Sequence, residues 1–382
     1  MSPGFLGSNR RQWLMGASGL LLAPAFAETA NQQQHQAGST LTPRPLRFPR
    51  DHGTHNETRT EWWYLTGHAK TEIGRTFGFQ VTFFRSRVDA AGPIQSRLAA
   101  RQLLFAHAAI SDLQGQQLLH DERIARWNGE PPLQTERGVF ARVDDMQVVL
   151  RDWFIERDTT GVYRTSVSGD GFAISLRATP TQALLLQGDR GFSRKGPDPS
   201  QASFYVTHPQ LAVQGALTLS GQRLMVTGRA WLDHEWSEAI LHPEAVGWDW
   251  IGMNLDNGDS LTAFELRRAD GSTVWAGGSY RTLASSADPL GARSFAADEV
   301  RFTPRRFWTS PLTRARYPVE WQVDTPSGRF TVRALLDAQE LDSRSSTGTV
   351  YWEGLSDLLD AQGQRVGRGY LEMTGYAQRL VL

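Results

Sequence analysis

The feature that most constrains the fold is a repeated alternation of apolar and polar residues in short segments. In residues 76–83, Phe77, Phe79, Val81 and Phe83 alternate with small or polar residues. An extended strand would place these four side chains on one face. Similar segments recur at residues 172–176, 217–219, 224–236 and 330–332. The pattern predicts an all-β, antiparallel fold.

Hairpin-type turns separate many of these segments, and each contains a glycine. They are Ser220-Gly221, Asn257-Gly258, Asp270-Gly271, Ser327-Gly328 and Gln362-Gly363. Glycine adopts the positive φ that tight hairpin turns need. Regularly spaced strands with such turns are typical of a meander, a sandwich or an up-and-down barrel. Helical periodicity is scarce, and residues 98–104 are the best candidate for a short helix.

A weak internal repeat favours two barrels over one large sandwich. Residues 61–67 lead through a turn to the strand that ends near Arg85, and residues 247–252 lead through a turn to Arg267. Each unit opens with a tryptophan-rich strand and returns along an apolar one. With 382 residues, the chain exceeds the usual size of one domain. We predict domains at residues 50–240 and 241–382, each long enough for an eight-stranded barrel with a small lumen.

The N-terminal segment predicts export. Residues 9–14, Asn-Arg-Arg-Gln-Trp-Leu, resemble a twin-arginine signal and precede an apolar stretch that ends in Ala25-Phe26-Ala27. Cleavage after Ala27 makes residues 1–27 the signal and the polar residues 28–49 a flexible lead-in. The alternative is a membrane anchor, but the apolar stretch is shorter than the roughly 20 residues needed to span a bilayer. We predict a periplasmic or secreted protein.

Composition excludes several kinds of chemistry. The 40 basic residues balance the 40 acidic ones, so no electrostatic argument favours a nucleic-acid partner. The chain has no cysteine, and therefore no disulfide and no thiolate nucleophile or ligand. It also lacks a glycine-rich phosphate loop between a strand and a helix, and a Gly-x-Ser-x-Gly nucleophile elbow. We predict no cofactor.

Acidic residues embedded among aromatic residues are the candidate site residues, because a buried carboxyl group needs a partner or a proton. The catalytic candidates are Glu61, Asp233, His234 and Glu235. The candidates for a ligand pocket are Trp62, Trp63, Tyr64, Trp248, Trp250, Tyr351, Trp352, Glu353, Glu372 and Tyr376. For any single tryptophan the alternative is that it fills the core.

The segment at residues 231–236 carries the sharpest hypothesis. Strand alternation puts Asp233 and Glu235 on one face with Trp231, whereas His234 lies on the other. Two carboxyl groups on one face can act as an acid/base pair whose pKa values are pushed apart. Asp233 is the best candidate for a neutral acid, with Glu235 and His234 tuning or positioning it.

Two other interpretations of this segment remain open. The acids could form a polar network that closes a barrel, with Arg229 or Arg368 as the partner. They could also bind a metal, together with distant histidines such as His52, His55 or His107. Adjacent residues on a strand point to opposite sides, unlike the spaced ligands of known zinc motifs. We therefore predict no metal site.

At these segments the sequence resembles the carotenoid 1,2-hydratase family in its broad sense, which includes exported lipocalin-like relatives described as predicted secreted hydrolases. The matching stretches are residues 48–53, 60–67, 77–85, 105–107, 231–236, 247–250, 351–354 and 367–376. The resemblance implies two tandem lipocalin-like (calycin) antiparallel up-and-down β-barrels. It also implies hydration, without a cofactor, of the terminal double bond of an acyclic carotenoid.

Such a hydration needs an acid that protonates the alkene and a base that takes a proton from water. An apolar environment can hold a carboxylic acid neutral, and aromatic faces can stabilise the cation. We predict a protein that acts on or binds a long lipophilic molecule. The alternatives are a non-catalytic periplasmic carrier or chaperone that serves an envelope transporter, and a hydrolase or isomerase.

Overall fold

The computed structural model describes residues 41–91, 96, 98–130, 138–239 and 241–380. The predicted signal at residues 1–27 and the first part of the lead-in lie outside these ranges. All described residues belong to one compact unit, and almost all regular structure in it is antiparallel β-sheet.

The first sheet has thirteen strands in the spatial order β4-β3-β2-β1-β13-β12-β9-β8-β7-β6-β5, with β10 and β11 paired to β12. Strand β4 also contacts β5, β6 and β8, so the sheet nearly closes into a barrel. The strands are β1 (Thr60–Lys70), β2 (Thr76–Arg87), β3 (Gln102–Asp112), β4 (Gln117–Trp127), β5 (Val139–Ala141), β6 (Gln147–Leu150), β7 (Trp153–Arg157), β8 (Tyr163–Gly169), β9 (Phe172–Thr179), β10 (Leu185–Leu186), β11 (Phe192–Arg194), β12 (Ala202–Leu219) and β13 (Gln222–Ser237).

The second sheet has ten strands in the order β17-β16-β15-β14-β23-β22-β20-β19-β18, with β21 paired to β22. Its strands are β14 (Gly247–Leu255), β15 (Ser260–Arg267), β16 (Thr273–Arg281), β17 (Ala292–Phe295), β18 (Arg301–Thr309), β19 (Arg316–Thr325), β20 (Gly328–Ala334), β21 (Glu340–Ser343), β22 (Thr349–Leu359) and β23 (Arg365–Met373). The two sheets have the architecture of tandem lipocalin-like barrels, which confirms the predicted fold class.

Helical structure in the described part is limited to short 3₁₀ turns at Arg50–His52, Asp89–Ala91 and Leu283–Ser285. No helix among the described residues combines the length and hydrophobicity needed to cross a bilayer. The helix predicted for residues 98–104 is wrong, because β3 begins at Gln102. Leu104 and Ala106 alternate into the first core from this strand, and strand pairing on both sides of β3 overrides the local pattern.

The alternation seen in the sequence explains how the cores form. Phe77, Phe79, Val81 and Phe83 of β2 are all fully buried in the core of the first sheet. The second sheet encloses a separate core that includes Trp352. Burial of such large apolar side chains is the main stabilising contribution to a sheet with one inward face.

The turns between strands also follow the prediction. Between β12 and β13, Ser220 and Gly221 have φ values of 48° and 80°, the left-handed conformation of a tight hairpin turn. Gly258 lies in the corresponding turn between β14 and β15, with φ of 91°.

A third apolar cluster joins the two sheets. It includes Tyr64 and Trp231 from the first sheet and Trp250, Leu355 and Tyr370 from the second. Strand β1 contacts β23, and β13 contacts β14. Strands β1 and β13, which are first and last along the chain in the first sheet, therefore pack with their outer faces against β23 and β14 of the second sheet. This packing positions the site described below.

Candidate functional site

A cavity of about 300 Å³ is lined by residues of both sheets. Its size is at the lower end of the range for pockets that hold small molecules. Aromatic residues such as Phe84, Phe105 and Phe264 contribute to its wall. Ten of the predicted site residues also line it, namely Glu61, Trp62, Tyr64, Asp233, Glu235, Trp248, Trp250, Tyr351, Glu353 and Glu372.

Strand register explains why the first sheet contributes these side chains. Strands β1 and β13 are antiparallel neighbours in which Tyr64 is opposite Asp233 and Trp62 is opposite Glu235. The intervening residues, such as Leu65, point into the first core. The outward face of this strand pair therefore presents two carboxyl groups beside two aromatic rings.

Asp233 is buried and has hydroxyl partners on both carboxyl oxygens. The Tyr205 hydroxyl donates to Oδ2 at 2.8 Å, and the Thr207 hydroxyl donates to Oδ1 at 2.6 Å. Trp250 Nε1 donates to the Tyr205 hydroxyl at 3.1 Å. Burial raises the pKa of Asp233 to about 7, although the two hydroxyl groups partly offset that effect. Asp233 can therefore exchange a proton near neutral pH.

Glu235 is paired with a cation that sequence reasoning missed. Lys195 Nζ lies 2.9 Å from Glu235 Oε1, and the Ser203 hydroxyl donates to the same oxygen. The Lys195 ammonium also lies over the rings of Tyr205 and Phe264, at 4.6 and 4.3 Å from their centroids. Glu235 is thus the member of the predicted acid pair that carries an ion pair.

The arginine partners proposed from the sequence are wrong for this cluster. Arg229 donates to Gln210 and to the Leu255 carbonyl, and Arg368 pairs with Asp357. Both arginines are engaged away from Asp233 and Glu235, because the segment that carries Lys195 reaches the carboxyl groups instead.

The second sheet contributes a pair of glutamates. Glu353 of β22 and Glu372 of β23 are register partners, and both line the cavity. Burial raises the pKa of Glu372 to about 8, and a hydrogen bond from Trp248 partly opposes this shift. Burial and the neighbouring Glu372 raise the pKa of Glu353 well above its usual value. Two adjacent carboxyl groups without a cation cannot both ionise easily.

Glu61 belongs to a different, ionised network at the edge of the cavity. Arg85 Nε donates to Glu61 Oε2 at 2.9 Å, and His55 and His234 donate to Oε1 at 2.8 and 2.9 Å. Burial opposes the charge, but Arg85 and the two imidazoles outweigh it and hold the pKa of Glu61 well below its usual value. Glu61 is therefore unsuited to donate a proton.

His234 contacts this network and not Asp233. It lies on the opposite face of β13, stacked on Trp63 with ring centroids 4.9 Å apart. Burial lowers its pKa, so the ring is neutral with its proton on Nε2. The prediction that His234 positions Asp233 is wrong, since strand alternation separates the two side chains.

The atoms of His55, Glu61 and His234 that could ligate a metal lie within 4.8 Å of one another. Hydrogen bonds already account for this arrangement. A metal on His234 Nε2 would move the proton to Nδ1, which is buried and has no partner among the described residues. Arg85 already neutralises Glu61. We therefore assign a proton-mediated network to this group.

Three pocket candidates do not line the cavity. Trp63 and Trp352 are fully buried in the first and second cores, because their strand positions point inward. The Tyr376 hydroxyl donates to Asp249 at 3.0 Å, and its ring packs against the Arg267 guanidinium. These three side chains share one property: each packs in or against the core of a sheet instead of facing the cavity.

Sequence reasoning missed other residues that line the cavity or contact its carboxyl groups, because their segments carry no acid among tryptophans. Tyr205 and Thr207 in β12 alternate toward Asp233, and this period-2 spacing is the signal that could have revealed them. Lys195 lies just after β11 and has no such signal. His107 was considered only as a metal ligand; its Nδ1 is 2.7 Å from the Tyr351 hydroxyl, which links β3 to β22.

The comparisons with known proteins agree with this architecture. A family model described as AttH-like matches residues 39–376. The crystal structure of an AttH protein from Nitrosomonas europaea is similar at 44% identity, covering 88% of this chain and 98% of that one, with a TM-score of 0.78.

Kievitone hydratase from Nectria haematococca has a similar structure at 14% identity, covering 89% of this chain and 95% of that one, with a TM-score of 0.65. Identity at this level shows the fold alone. No curated protein matches the chain. Because the family model spans nearly all described residues, the chain belongs to the AttH-like family and has a lipocalin-like fold.

Proposed function

We propose that this protein is a cofactor-free hydratase that adds water to a carbon–carbon double bond of an apolar molecule held in the cavity. One observation carries the proposal. Asp233, Glu353 and Glu372 surround an aromatic-lined cavity, and burial raises the pKa of each carboxyl group. A neutral carboxylic acid next to an apolar ligand can protonate an alkene, and a carboxyl group that titrates near neutral pH, as Asp233 does, can take a proton from water.

Glu372 is the proposed proton donor. At pH 7 most of its carboxyl group is protonated, since burial raises its pKa to about 8. Transfer of its proton to one alkene carbon forms a C–H bond and leaves a cation on the other carbon. The rings of Trp248, Trp250 and Phe264 line the same cavity and can stabilise that cation through their faces.

Asp233 is the proposed base. The hydroxyl groups of Tyr205 and Thr207 donate to its two oxygens and favour the carboxylate, so this role suits it better than the acid role predicted from the sequence. Water attacks the cation, forms the C–O bond and passes a proton to Asp233. The sum is addition of one water, and proton exchange with solvent restores Glu372 and Asp233.

The family comparison supports only the coarser part of this proposal. The kievitone hydratase structure shares the fold at 14% identity, and the chemistry of the cavity itself supports hydration. The carotenoid substrate implied by the sequence resemblance is a narrower proposal. A cavity of about 300 Å³ is too small to hold a complete acyclic carotenoid. Only the terminal segment of such a molecule would enter it.

The test follows isotope from solvent into product. The purified protein is incubated with a lipid extract of the cell envelope in ¹⁸O-labelled water and in heavy water, and products are identified by mass spectrometry. We expect a product that carries one solvent oxygen and one carbon-bound deuterium. Glu372→Gln and Asp233→Asn should abolish labelling, whereas Glu320→Gln, which alters an exposed ion pair with Arg333, should not.

The competing function is a carrier for lipophilic molecules. It predicts that the same extract yields a ligand bound to the protein without any isotope label, and that Glu372→Gln and Asp233→Asn retain this ligand. That result would exclude the hydratase proposal.

A further inference from the structure

Some polar groups on the cavity wall have no partner. Among the described residues, the Tyr64 hydroxyl and Glu353 Oε1 are buried atoms without a hydrogen bond. Tyr64 is 6% exposed and Glu353 is 3% exposed, and both line the cavity. Leaving a buried polar atom unpaired costs free energy, so these atoms point to a ligand that completes them.

The two groups come from opposite sides of the cavity. Tyr64 lies on β1 of the first sheet and Glu353 on β22 of the second. The Tyr64 hydroxyl and the Glu353 carboxyl group lie close enough that each shifts the pKa of the other through charge and a side-chain interaction. Neither the hydroxyl nor Glu353 Oε1 completes a hydrogen bond of good geometry among the described residues. A ligand atom between the sheets can therefore reach both groups at once.

The charges around the cavity argue against an anionic ligand. Its two cations, Lys195 and Arg85, are already paired with Glu235 and Glu61. A ligand carboxylate or phosphate would therefore find no unpaired cation among the described residues that line the cavity. Burying an unpaired charge is strongly unfavourable.

A cationic ligand is disfavoured for a different reason. The aromatic faces that would bind an ammonium group already hold one that belongs to the chain. Lys195 Nζ lies 4.6 Å from the Tyr205 ring centroid and 4.3 Å from that of Phe264. A second cation in the same cavity would be repelled by it.

We propose that the natural ligand is an uncharged, mostly apolar molecule that carries a hydroxyl or carbonyl oxygen, and that Tyr64 and Glu353 bind this oxygen. The inference deepens the proposed function, because it names the substrate class of the same cavity. A neutral Glu353 can donate to a carbonyl or exchange hydrogen bonds with a hydroxyl, and Tyr64 can do the same. A pure hydrocarbon offers neither group a hydrogen bond.

Binding of four related probes tests the proposal. The probes are geraniol, the hydrocarbon that lacks its hydroxyl, geranic acid and geranylamine, with affinity measured by quenching of tryptophan fluorescence. Trp62, Trp248 and Trp250 line the cavity and report its occupancy. We expect geraniol to bind about tenfold more tightly than the hydrocarbon, and the two charged probes to bind more weakly than geraniol.

A matched pair of variants separates recognition from stability. Tyr64→Phe removes only the hydroxyl and should weaken geraniol binding about fivefold to tenfold while leaving hydrocarbon binding within about twofold. Tyr280→Phe removes a hydroxyl that donates to Asp259 outside the cavity and should change neither affinity. Circular dichroism melting confirms that both variants are folded.

The outcomes distinguish this inference from the proposed function. Three results would overturn the inference. The first is equal affinity for geraniol and the hydrocarbon, and the second is tighter binding of a charged probe than of geraniol. The third is an equal loss of affinity for geraniol and for the hydrocarbon in Tyr64→Phe. Hydration of a pure hydrocarbon without any preference for oxygenated ligands would overturn it while leaving the hydratase proposal intact. A clear preference for geraniol without solvent labelling would support it and contradict hydration.

Discussion

Glu353 and Glu372 face each other as register partners on β22 and β23, and neither has a cation partner among the described residues. In the first sheet, Glu61 shows the opposite arrangement, because Arg85 and two histidines surround it. Burial alone therefore does not determine the protonation state of a carboxyl group in this protein. The partners supplied by neighbouring strands do.

This contrast predicts how stability depends on pH. Folding raises the pKa of Glu372 from about 4.5 to about 8, so the folded state binds the proton more tightly than the unfolded chain. The resulting stability is complete below pH 4.5 and is lost as pH rises through 8. Between pH 5 and pH 9, the unfolding free energy of the wild type should fall by about 4 kcal/mol more than that of Glu372→Gln.

Urea unfolding at several pH values measures this effect. Glu320→Gln is the control, since its exposed ion pair should leave the pH slope unchanged. A Glu372→Gln variant with the wild-type slope would show that the group ionises normally in the folded protein.

His107 predicts an acid-dependent loss of stability with the opposite sign. Burial lowers its pKa to about 3, whereas the unfolded imidazole titrates near 6.5. The unfolded chain therefore binds the extra proton, and stability falls as pH decreases below 6.5. Between pH 7 and pH 5, the unfolding free energy of the wild type should fall by about 2 kcal/mol more than that of His107→Gln.

The measurement is again urea unfolding, with wild type and His107→Gln compared at each pH. His242→Gln, at a histidine that does not line the cavity and accepts a hydrogen bond from the Glu244 amide, is the control. Equal acid sensitivity of wild type and His107→Gln would contradict the prediction.

The Glu61 network predicts a large cost for unpairing buried charges. Glu61→Gln leaves Arg85 and His55 without their shared carboxylate, and removal of one member of a buried pair costs about 3–5 kcal/mol. The double variant Glu61→Gln/Arg85→Met should lose less than the sum of the two single variants.

Thermal and urea unfolding of the four proteins form a double-mutant cycle. The same cycle on Glu320 and Arg333, an exposed pair, should give a coupling of about 1 kcal/mol or less. Additive losses at Glu61 and Arg85 would show that the pair is not coupled in the folded state.

Export by the twin-arginine route remains a proposal from the sequence. Replacing Arg10 and Arg11 by lysine should leave the precursor in the cytoplasm, because recognition depends on the arginine pair. Immunoblots of cytoplasmic and periplasmic fractions measure the distribution. Unchanged export of the variant would point to the general secretory route.

Much of the fold is determined by local sequence pattern. Alternation in β2 put Phe77 and Phe83 on one face, and that face became the first core. The internal repeat also has a structural counterpart, since each opening hairpin carries a carboxylate paired with an arginine of its second strand. These pairs are Glu61 with Arg85 and Asp249 with Arg267. A period of two residues needs no knowledge of distant neighbours, which is why it can be interpreted from sequence alone.

The site was determined only by tertiary structure. Trp62 and Trp63 are adjacent and chemically alike, yet Trp62 lines the cavity and Trp63 fills the first core. Strand alternation predicts that they point apart, but which face meets the second sheet depends on how the two sheets pack. The same packing brings Lys195 to Glu235, whereas no cation of the described residues pairs with Glu353 or Glu372. Local pattern could identify acids and aromatic residues that line the cavity, but charge states depend on partners distant in sequence, which no local pattern specifies.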